Sequence, residues 1–405
     1  MSAWLAVIGV GEDGAAGLSP AARVLVDGAE LLVGGERHLA LVPQGAAERL
    51  PWRQPLSDTL AAIEAWRDRR VVVLSSGDPL CYGVAATLSR HFRADEMLVL
   101  PQPSAFSLAA SRLIWPLADC VMLTLHGRPL DALRLHLAPG ARLLALTRDG
   151  ETPAQVATLL TASGWGASAM TVLEHLGGAR ERRIDGTAAA WSSKPSAPLN
   201  TLAIECRAGA EARPLSRLAG LPDDAFEHDG QLTKRVVRAA TLAALAPLPG
   251  DRLWDIGAGC GSVAIEWLRA SRSLQAIAIE RAAARCAFIA RNAAALGVPD
   301  LRIVEGGAPA VLAGLPPPDA VFLGGGGSDA TLWEAAWRAL KPGGRLVANV
   351  VTLEGEAQLA RWHGAHGGEL TRITVSAAAP VGRRHGWRAQ MTVPQLAVAK
   401  PRTLA

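Results

Sequence analysis

Residues 252–261 read Arg-Leu-Trp-Asp-Ile-Gly-Ala-Gly-Cys-Gly. A short apolar strand runs into Asp255 and then into Gly257, Gly259 and Gly261; the next apolar run, Ala276–Ile279, ends at Glu280. Glycines at a strand-to-helix turn let the backbone approach a ligand that a Cβ would exclude. An acid at the tip of the second strand can accept hydrogen bonds from both ribose hydroxyls of a nucleoside. The combination points to a nucleoside-bearing cofactor.

Two such cofactors fit at first sight, a dinucleotide and S-adenosylmethionine (SAM). A dinucleotide site favours the spacing G-x-G-x-x-G, because its pyrophosphate sits on the helix N-terminus. Here the spacing is G-x-G-x-G, and Asp255 stands two residues before the first glycine. A carboxylate there repels a pyrophosphate and suits the cationic amino group of SAM. Downstream, Leu340-Lys341-Pro342-Gly343-Gly344-Arg345-Leu346-Val347 reads as helix end, tight turn and strand, a common late element of SAM-dependent methyltransferases. SAM is favoured over a dinucleotide and over a bare βαβ turn of small residues.

Outward from this turn, the second half alternates short apolar strands with helices. Strands are predicted at 252–256, 275–279, 301–304, 319–323, 344–350 and 370–376, and helices at 262–270, 282–296, 329–340 and 354–366. That alternation argues for an α/β fold with a doubly wound, mainly parallel Rossmann-like sheet. Ligands of such sheets sit at the carboxyl ends of the strands. Asp255, Glu280, the Glu305-Gly306-Gly307-Ala308 turn and Gly324–Gly327 would share that crevice.

The first half opens with a strand at 4–9 running into Gly9-Val10-Gly11, a weak signal alone. A strand at 71–74 leads into Ser75-Ser76-Gly77-Asp78-Pro79-Leu80-Cys81-Tyr82-Gly83, a far more specific run. Pro79 with Gly77 and Gly83 fixes an exposed turn whose amides and carbonyls face a ligand. Between the halves, Arg207–Pro222 has neither periodicity and contains Gly209, Pro214, Gly220 and Pro222. The chain therefore reads as a domain at 1–207, a linker at 208–221 and a domain at 222–405.

Bulk properties narrow the function further. At 405 residues, 50% of them hydrophobic, the chain can bury two ordinary cores. No run reaches the roughly 18 apolar residues of a membrane span. Trp4–Val10 is followed at once by Glu12 and Asp13, as a buried first strand rather than a secretory leader would be. Cys81, Cys120, Cys206, Cys260 and Cys286 show neither paired nor metal-ligand spacing, and the histidines are scattered. A soluble, cytoplasmic protein without a metal site is expected.

Charge is uneven. Residues 1–207 carry 19 basic and 20 acidic side chains, and residues 208–405 carry 22 and 17, so that −1 and +5 make the net +4. Nearly all the bases are arginine, whose forks bind carboxylates bidentately and so suit an acidic substrate. Aromatics, at 4%, are too sparse for the stacking surface of single-stranded RNA binding.

At this point both halves resemble known families. The first is similar to the tetrapyrrole methylases of the cobalamin pathway at Val7–Gly14, Ser76–Gly83, Pro101–Ser107, His126-Gly127-Arg128, Glu174–Gly177 and Pro198–Ile204. The second resembles the decarboxylating precorrin methyltransferases at Asp223–Arg238, Asp255–Gly261, Glu280-Arg281, Glu305–Pro309, Gly324–Gly327 and Pro342–Asn349. Two departures stand out. The usual Gly-Pro-Gly-Asp of the first loop is Gly11-Glu12-Asp13-Gly14, and an acid often found after Glu-Gly is Gly307.

The resemblance implies a two-subdomain methylase fold in the first half and two SAM per chain. It also implies methyl transfer to two ring carbons, C5 and C15, of a polycarboxylate tetrapyrrole, with loss of CO2 from an acetate arm. Nucleic acid and membrane are not expected as partners; assembly as a homo-oligomer is. In the first half, Gly9, Gly11, Asp78, Ser104, Leu176 and Thr201 would touch SAM, and Asp78 reads equally as a structural turn residue. In the second, Asp255, Gly257, Gly259, Gly261, Glu280 and, through its backbone, Gly307 would do so. Thr233 matches a family position that closes over the cofactor and reads equally as the N-cap of a helix at 234–246.

Three residues are candidates for the chemistry itself. His126 is an acid/base candidate or the holder of a turn. Arg383 and Trp387, with Arg384 and His385, look like a late substrate loop or a solvated basic turn. The reaction makes modest demands: an enamine-like carbon and a good leaving group need alignment and exclusion of water. Three rivals remain from other classes. An RNA or protein methyltransferase would show Asn/Asp-Pro-Pro-aromatic where Phe322–Gly327 stands, a dehydrogenase would show the other glycine spacing, and a non-catalytic tetrapyrrole carrier would not bind SAM in both halves.

Overall fold

Leu5–Val10 (β1) is buried at every position, as a strand covered on both faces must be. In the computed structural model, which describes residues 3–191 and 195–402, β1 lies inside a five-stranded sheet. Its companions are Leu31–Gly34 (β2), Glu48–Pro51 (β3), Val71–Ser76 (β4) and Met97–Leu100 (β5), all parallel, in the order β3-β2-β4-β1-β5.

A second five-stranded sheet follows: Cys120–Thr124 (β6), Arg142–Leu146 (β7), Ala169–Glu174 (β8), Arg182–Thr187 (β9) and Asn200–Glu205 (β10), ordered β6-β7-β10-β8-β9. Only β6 and β7 run parallel; the other neighbours are antiparallel. The helix Ala105–Leu113 buries Phe106, Ala109 and Ala110 against Leu144, Leu173, Leu176 and Ala203 of this sheet and its loops. Its N-cap is Ser104, whose hydroxyl accepts the Ser107 amide.

The second half forms a seven-stranded sheet ordered β13-β12-β11-β14-β15-β19-β16. Its strands are Arg252–Ile256 (β11), Gln275–Glu280 (β12), Arg302–Glu305 (β13), Ala320–Leu323 (β14), Arg345–Asn349 (β15), Glu369–Ile373 (β16) and Val393–Ala399 (β19). β11 to β15 are parallel, and β19 runs antiparallel between β15 and β16. Alternation decides the faces. Leu253, Ala276, Ala278 and Phe322 enter one core, while Trp254, Ile277, Ile279, Val321 and Leu323 enter the other. The chain leaves β11 toward β12 on one side and returns through β14 on the other, so the switch point lies between β11 and β14.

One strand expected at 370–376 is two. β16 stops at Ile373, and a hairpin of Ser376–Val381 (β17) and Arg384–Ala389 (β18) follows. Ile373 pairs with Val393, and Asn349 with Gln395, so the hairpin rises from the sheet end where the parallel strands terminate.

Two compact units result: residues 1–128 with 138–214, and residues 129–137 with 215–405. The segment read as a linker is not slack. Gly209 donates its amide to Gly164 at 2.9 Å, in the first unit. In the second, buried Arg269 holds the Leu215 and Ser216 carbonyls at 3.3 and 3.0 Å. No helix among the described residues is long and apolar enough to cross a membrane.

Candidate active site

In the second unit the three glycines of 257–261 are required for three different reasons. A Cβ on Gly257 would meet the Gly325 amide at 2.7 Å, and one on Gly261 would meet Ile289 at 2.9 Å. Gly259 is different: its φ is +60°, and the only atom near its missing Cβ is the Gln231 carbonyl, 3.4 Å away. Its left-handed backbone faces open space, where a ligand can lie against it.

Glu280, buried at the tip of β12, accepts the Gly259 amide through Oε2 at 2.9 Å and the Ala282 amide through Oε1 at 3.0 Å. Each carboxylate oxygen keeps a further lone pair, which a ribose hydroxyl can use. Gly306 binds the Glu280 carbonyl at 2.9 Å, which seats Gly307 beside this strand tip with nothing near its missing Cβ.

Asp255 is 1% exposed. Its Oδ2 accepts the Ala264 amide at 3.0 Å, and its Oδ1 is buried without a partner. Burial foremost, with the neighbouring Glu280 charge, pushes its carboxyl up to about 7. An orphaned buried acceptor beside a glycine turn is the site a cationic amino group satisfies. The residues present therefore fit SAM.

Thr233 is not the N-cap. The helix Arg235–Leu245 starts after Lys234, whose side chain makes no capping bond. Instead the Thr233 carbonyl is gripped by Arg238, a fully buried guanidinium that also binds Glu266 at 2.6 Å, Asp223 at 3.2 Å and the Leu221 carbonyl. Arg238 thereby fixes the strap carrying Gln231 and Thr233 beside Gly259. Asp229, earlier in the strap, pairs with Arg285 at 2.8 Å.

In the first unit Gly9 needs its missing side chain for a backbone crossing. A Cβ there would fall 1.8 Å from the Gly77 carbonyl. Gly77 in turn binds Val10 and Gln102, which ties the turns after β1, β4 and β5 together. The Asp13 carboxylate packs against Gly11, 2.5 Å from its missing Cβ. Asp78 behaves as a turn residue, its Oδ1 accepting the Leu80 amide at 2.9 Å. Ser104 stands against Gly77, and Thr201 lies on the same face of β10 as Ala203, toward the helix Ala105–Leu113. Leu176 buries its side chain in the same core. Of these positions the structure ties the turns of Gly9 and Ser104 together through Gly77, and sets Leu176 in the core of the helix that Ser104 caps.

The three chemical candidates are divided between the two units. His126 is exposed on a turn after β6, its amide held by Thr124 Oγ1 at 3.2 Å, in the first unit. Arg383 and Trp387 lie in the second, and the expected loop is a hairpin: Arg383 is in its turn and Trp387, 80% exposed, in β18. No group of three His, Cys, Asp or Glu able to hold a metal occurs among the described residues. Burial pushes the Cys260 thiol up to about 11 and the Cys206 thiol to about 12, which leaves both without nucleophilic character.

Comparison with known proteins gives these cradles their context. A family model of the tetrapyrrole (corrin/porphyrin) methylases matches residues 5–191, and one of the precorrin methyltransferase domain matches 224–400. The precorrin-6Y C(5,15)-methyltransferase [decarboxylating] of a Sinorhizobium species is 52% identical over 98% of this chain and 96% of its own length. The chain belongs to that family. It is a SAM-dependent decarboxylating C-methyltransferase, as the methyltransferases of this family are.

This precorrin-6Y methyltransferase family member also has two relatives from Salmonella typhimurium that each match less than half of it. A cobalt-precorrin-7 C(5)-methyltransferase is 34% identical over 44% of the chain and 88% of its own length. A cobalt-precorrin-6B C(15)-methyltransferase (decarboxylating) is 36% identical over 38% of the chain and 81% of its own length.

Sequence reasoning missed two groups near the cradles. Arg238 and Glu266 sit on apolar helices and meet 28 residues apart; their signal was a charged residue on a face otherwise Val, Leu and Ala. Glu12 and His175 meet 163 residues apart, and their one signal was Glu12 standing where proline is usual.

Proposed function

We propose that the chain carries two SAM sites and converts precorrin-6Y to precorrin-8X. The second unit would methylate C15 and release CO2 from the acetate arm, and the first would methylate C5. What supports this is that two relatives, each matching less than half of the chain, are named separately as a C(5)-methyltransferase and a decarboxylating C(15)-methyltransferase, beside a tetrapyrrole methylase model over residues 5–191 and a precorrin methyltransferase model over 224–400. The two cradles, one per unit, agree with it: Gly9, Gly11, Asp78, Ser104, Leu176 and Thr201 in one, Thr233, Asp255, Gly257, Gly259, Gly261, Glu280 and Gly307 in the other.

SAM would supply the methyl group. The protein's task is positioning and dryness: Asp255 holds the amino end, Glu280 the ribose, and the Arg238-anchored strap closes over Gly259. The exposed arginines of the hairpin, Arg383, Arg384 and Arg388, rise from the cofactor end of the sheet and suit the substrate carboxylates. The proposal includes a cytoplasmic site, in keeping with five free cysteines, and a homo-oligomer, to be checked by light scattering against the 42.2 kDa chain.

The test is mass spectrometry after incubation with SAM and precorrin-6Y, paired with calorimetry. Two methyl additions, one CO2 loss and two SAM per chain are expected. One methyl addition with one SAM per chain would overturn the two-site reading.

A further inference from the structure

Transfer of a methyl cation to a neutral ring carbon leaves a positive charge and one proton too many. The new C–C bond takes an electron pair from the ring, the C–S bond breaks, and S-adenosylhomocysteine departs neutral. A proton must then leave the methylated ring system to restore neutrality. In the first unit, Asp78 has turned its carboxylate to its own loop and His126 sits on an exposed turn.

Across the junction of the two sheets lies a different pair. Glu12 follows Gly9–Gly11 directly, and His175 directly precedes Leu176. The imidazole Nδ1 meets Glu12 Oε2 at 3.0 Å, with side chains only 15% and 11% exposed. His175 adopts φ +47°, a left-handed backbone that a non-glycine residue holds only under constraint. Bonds from its amide to the Leu199 carbonyl (3.1 Å) and from the Gly178 amide to its carbonyl (3.0 Å) impose it. With Nδ1 taken, Nε2 is the remaining ring nitrogen; it has no hydrogen-bond partner among the described residues and is not a buried orphan.

The charged groups around the imidazole are accounted for. Glu12 also pairs with Arg37, which in turn bonds His38 and Ser76. Arg180 stands 3.9 Å from Glu12, and the neighbouring Glu174 is held by Arg182 at 2.6 Å. Among the described residues, Glu12 is the carboxylate bonded to the His175 ring. A carboxylate on Nδ1 fixes the tautomer with its lone pair on Nε2 and stabilises the imidazolium that forms when Nε2 takes a proton.

We infer that His175 is the general base of the methyl transfer in the first unit, and that Glu12 is the positioning residue that orients it. The inference rests on the proposal that this unit methylates the tetrapyrrole. His175 Nε2 accepts the proton that the newly methylated ring system releases. The proton then passes to water once the product leaves.

The test uses the full chain with SAM and precorrin-6Y, following both methyl additions and CO2 loss by mass. The steps of the second unit serve as the internal control. His175→Ala and His175→Gln should lower kcat for the addition by the first unit by about 10²–10⁴-fold, with the KM for SAM within about twofold. Added imidazole should restore part of the rate in His175→Ala. Glu12→Gln, which keeps the contact but not the charge, should lower the same kcat, and Glu12→Asp should recover some of it. An unchanged rate in both His175 variants, or a loss carried by KM alone without imidazole rescue, overturns the inference. A wild-type chain that never adds the second methyl overturns the underlying proposal and this inference together.

Discussion

Glu280 Oε2 accepts the amide of Gly259 at 2.9 Å, joining the tip of β12 to the turn that follows β11. One carboxylate therefore shapes the turn and, in the proposed site, would also hold the ribose. Glu280→Ala should weaken SAM binding by the second unit by about 1–3 kcal/mol. Calorimetry reads this directly, and an unchanged affinity would remove Glu280 from the cradle.

Gly259→Val should go further and abolish that site alone. Its +60° φ is costly for a branched residue, and the added methyls would fill the open space beside the Gln231 carbonyl. SAM stoichiometry should drop by one, and the product should lack CO2 loss and one methyl group. Asp78→Ala should instead leave a decarboxylated, singly methylated species.

Asp255 makes SAM binding depend on pH. Its carboxyl is raised from 3.8 to about 7 in the folded chain, so the fold holds this proton more tightly than the unfolded chain does. The stabilisation this gives is complete below about pH 4 and is lost as pH rises to about 7, at most about 4 kcal/mol. A bound ammonium group favours the ionised form, so SAM affinity at this site should rise from pH 6 to pH 8. Asp255→Asn should flatten both trends, and should raise the Tm of the ligand-free protein at pH 8.

Two histidines act in the opposite sense. Burial first, then Arg37, pushes His38 down to about 4; burial, then Arg272, Arg217 and Arg269, does the same to His136. Their folded values lie below the ordinary 6.5, so the unfolded chain takes up the extra protons. The stability they contribute is present above about pH 6.5 and lost as pH falls to about 4. Thermal melts across that window should show a smaller fall in His38→Gln and in His136→Gln than in wild type.

Removing Glu266 should be severe. It pairs with Arg238 at 2.6 Å and accepts the Gly220 and Leu221 amides at 2.6 and 3.0 Å. Glu266→Ala would leave the buried guanidinium with Asp223 as its one carboxylate among the described residues and the Gly220 and Leu221 amides without their acceptor, at a cost of roughly 2–4 kcal/mol. Urea melts read the loss, and SAM binding by the second unit should weaken with it, because the strap loses its anchor.

The parallel sheet of the second half was legible because its first four strands are short apolar runs closed by a glycine or an acid, at Gly257, Glu280, Glu305 and Gly324, and period-two faces followed from that. Asp255, Glu280 and Gly259 were legible for the same reason: the turn that needs them is local. The hairpin after Ile373 was not, since Ala377-Ala378-Ala379 and Gly382 carry no alternating pattern and its strands pair only with each other. Nor was the contact between Glu12 and His175, because its one local signal, Glu12 where proline is usual, does not name a partner 163 residues away. The crossing at Gly9 was not legible either, because the Gly77 carbonyl that fills the place of its Cβ comes from a turn 68 residues on.

The membership of residues 129–137 in the second unit bears on how the chain is made. Leu135 packs within 3 Å of the position of a Cβ on Gly297, and His136 bonds Arg272 at 3.1 Å. A ribosome delivers those partners long after the segment itself, by roughly ten to thirty seconds at ordinary synthesis rates. During that interval Leu133, buried in the finished protein, is exposed to solvent. A nascent chain in this state is a natural client for chaperones, and slowed translation between codons 137 and 297 should lower the soluble yield.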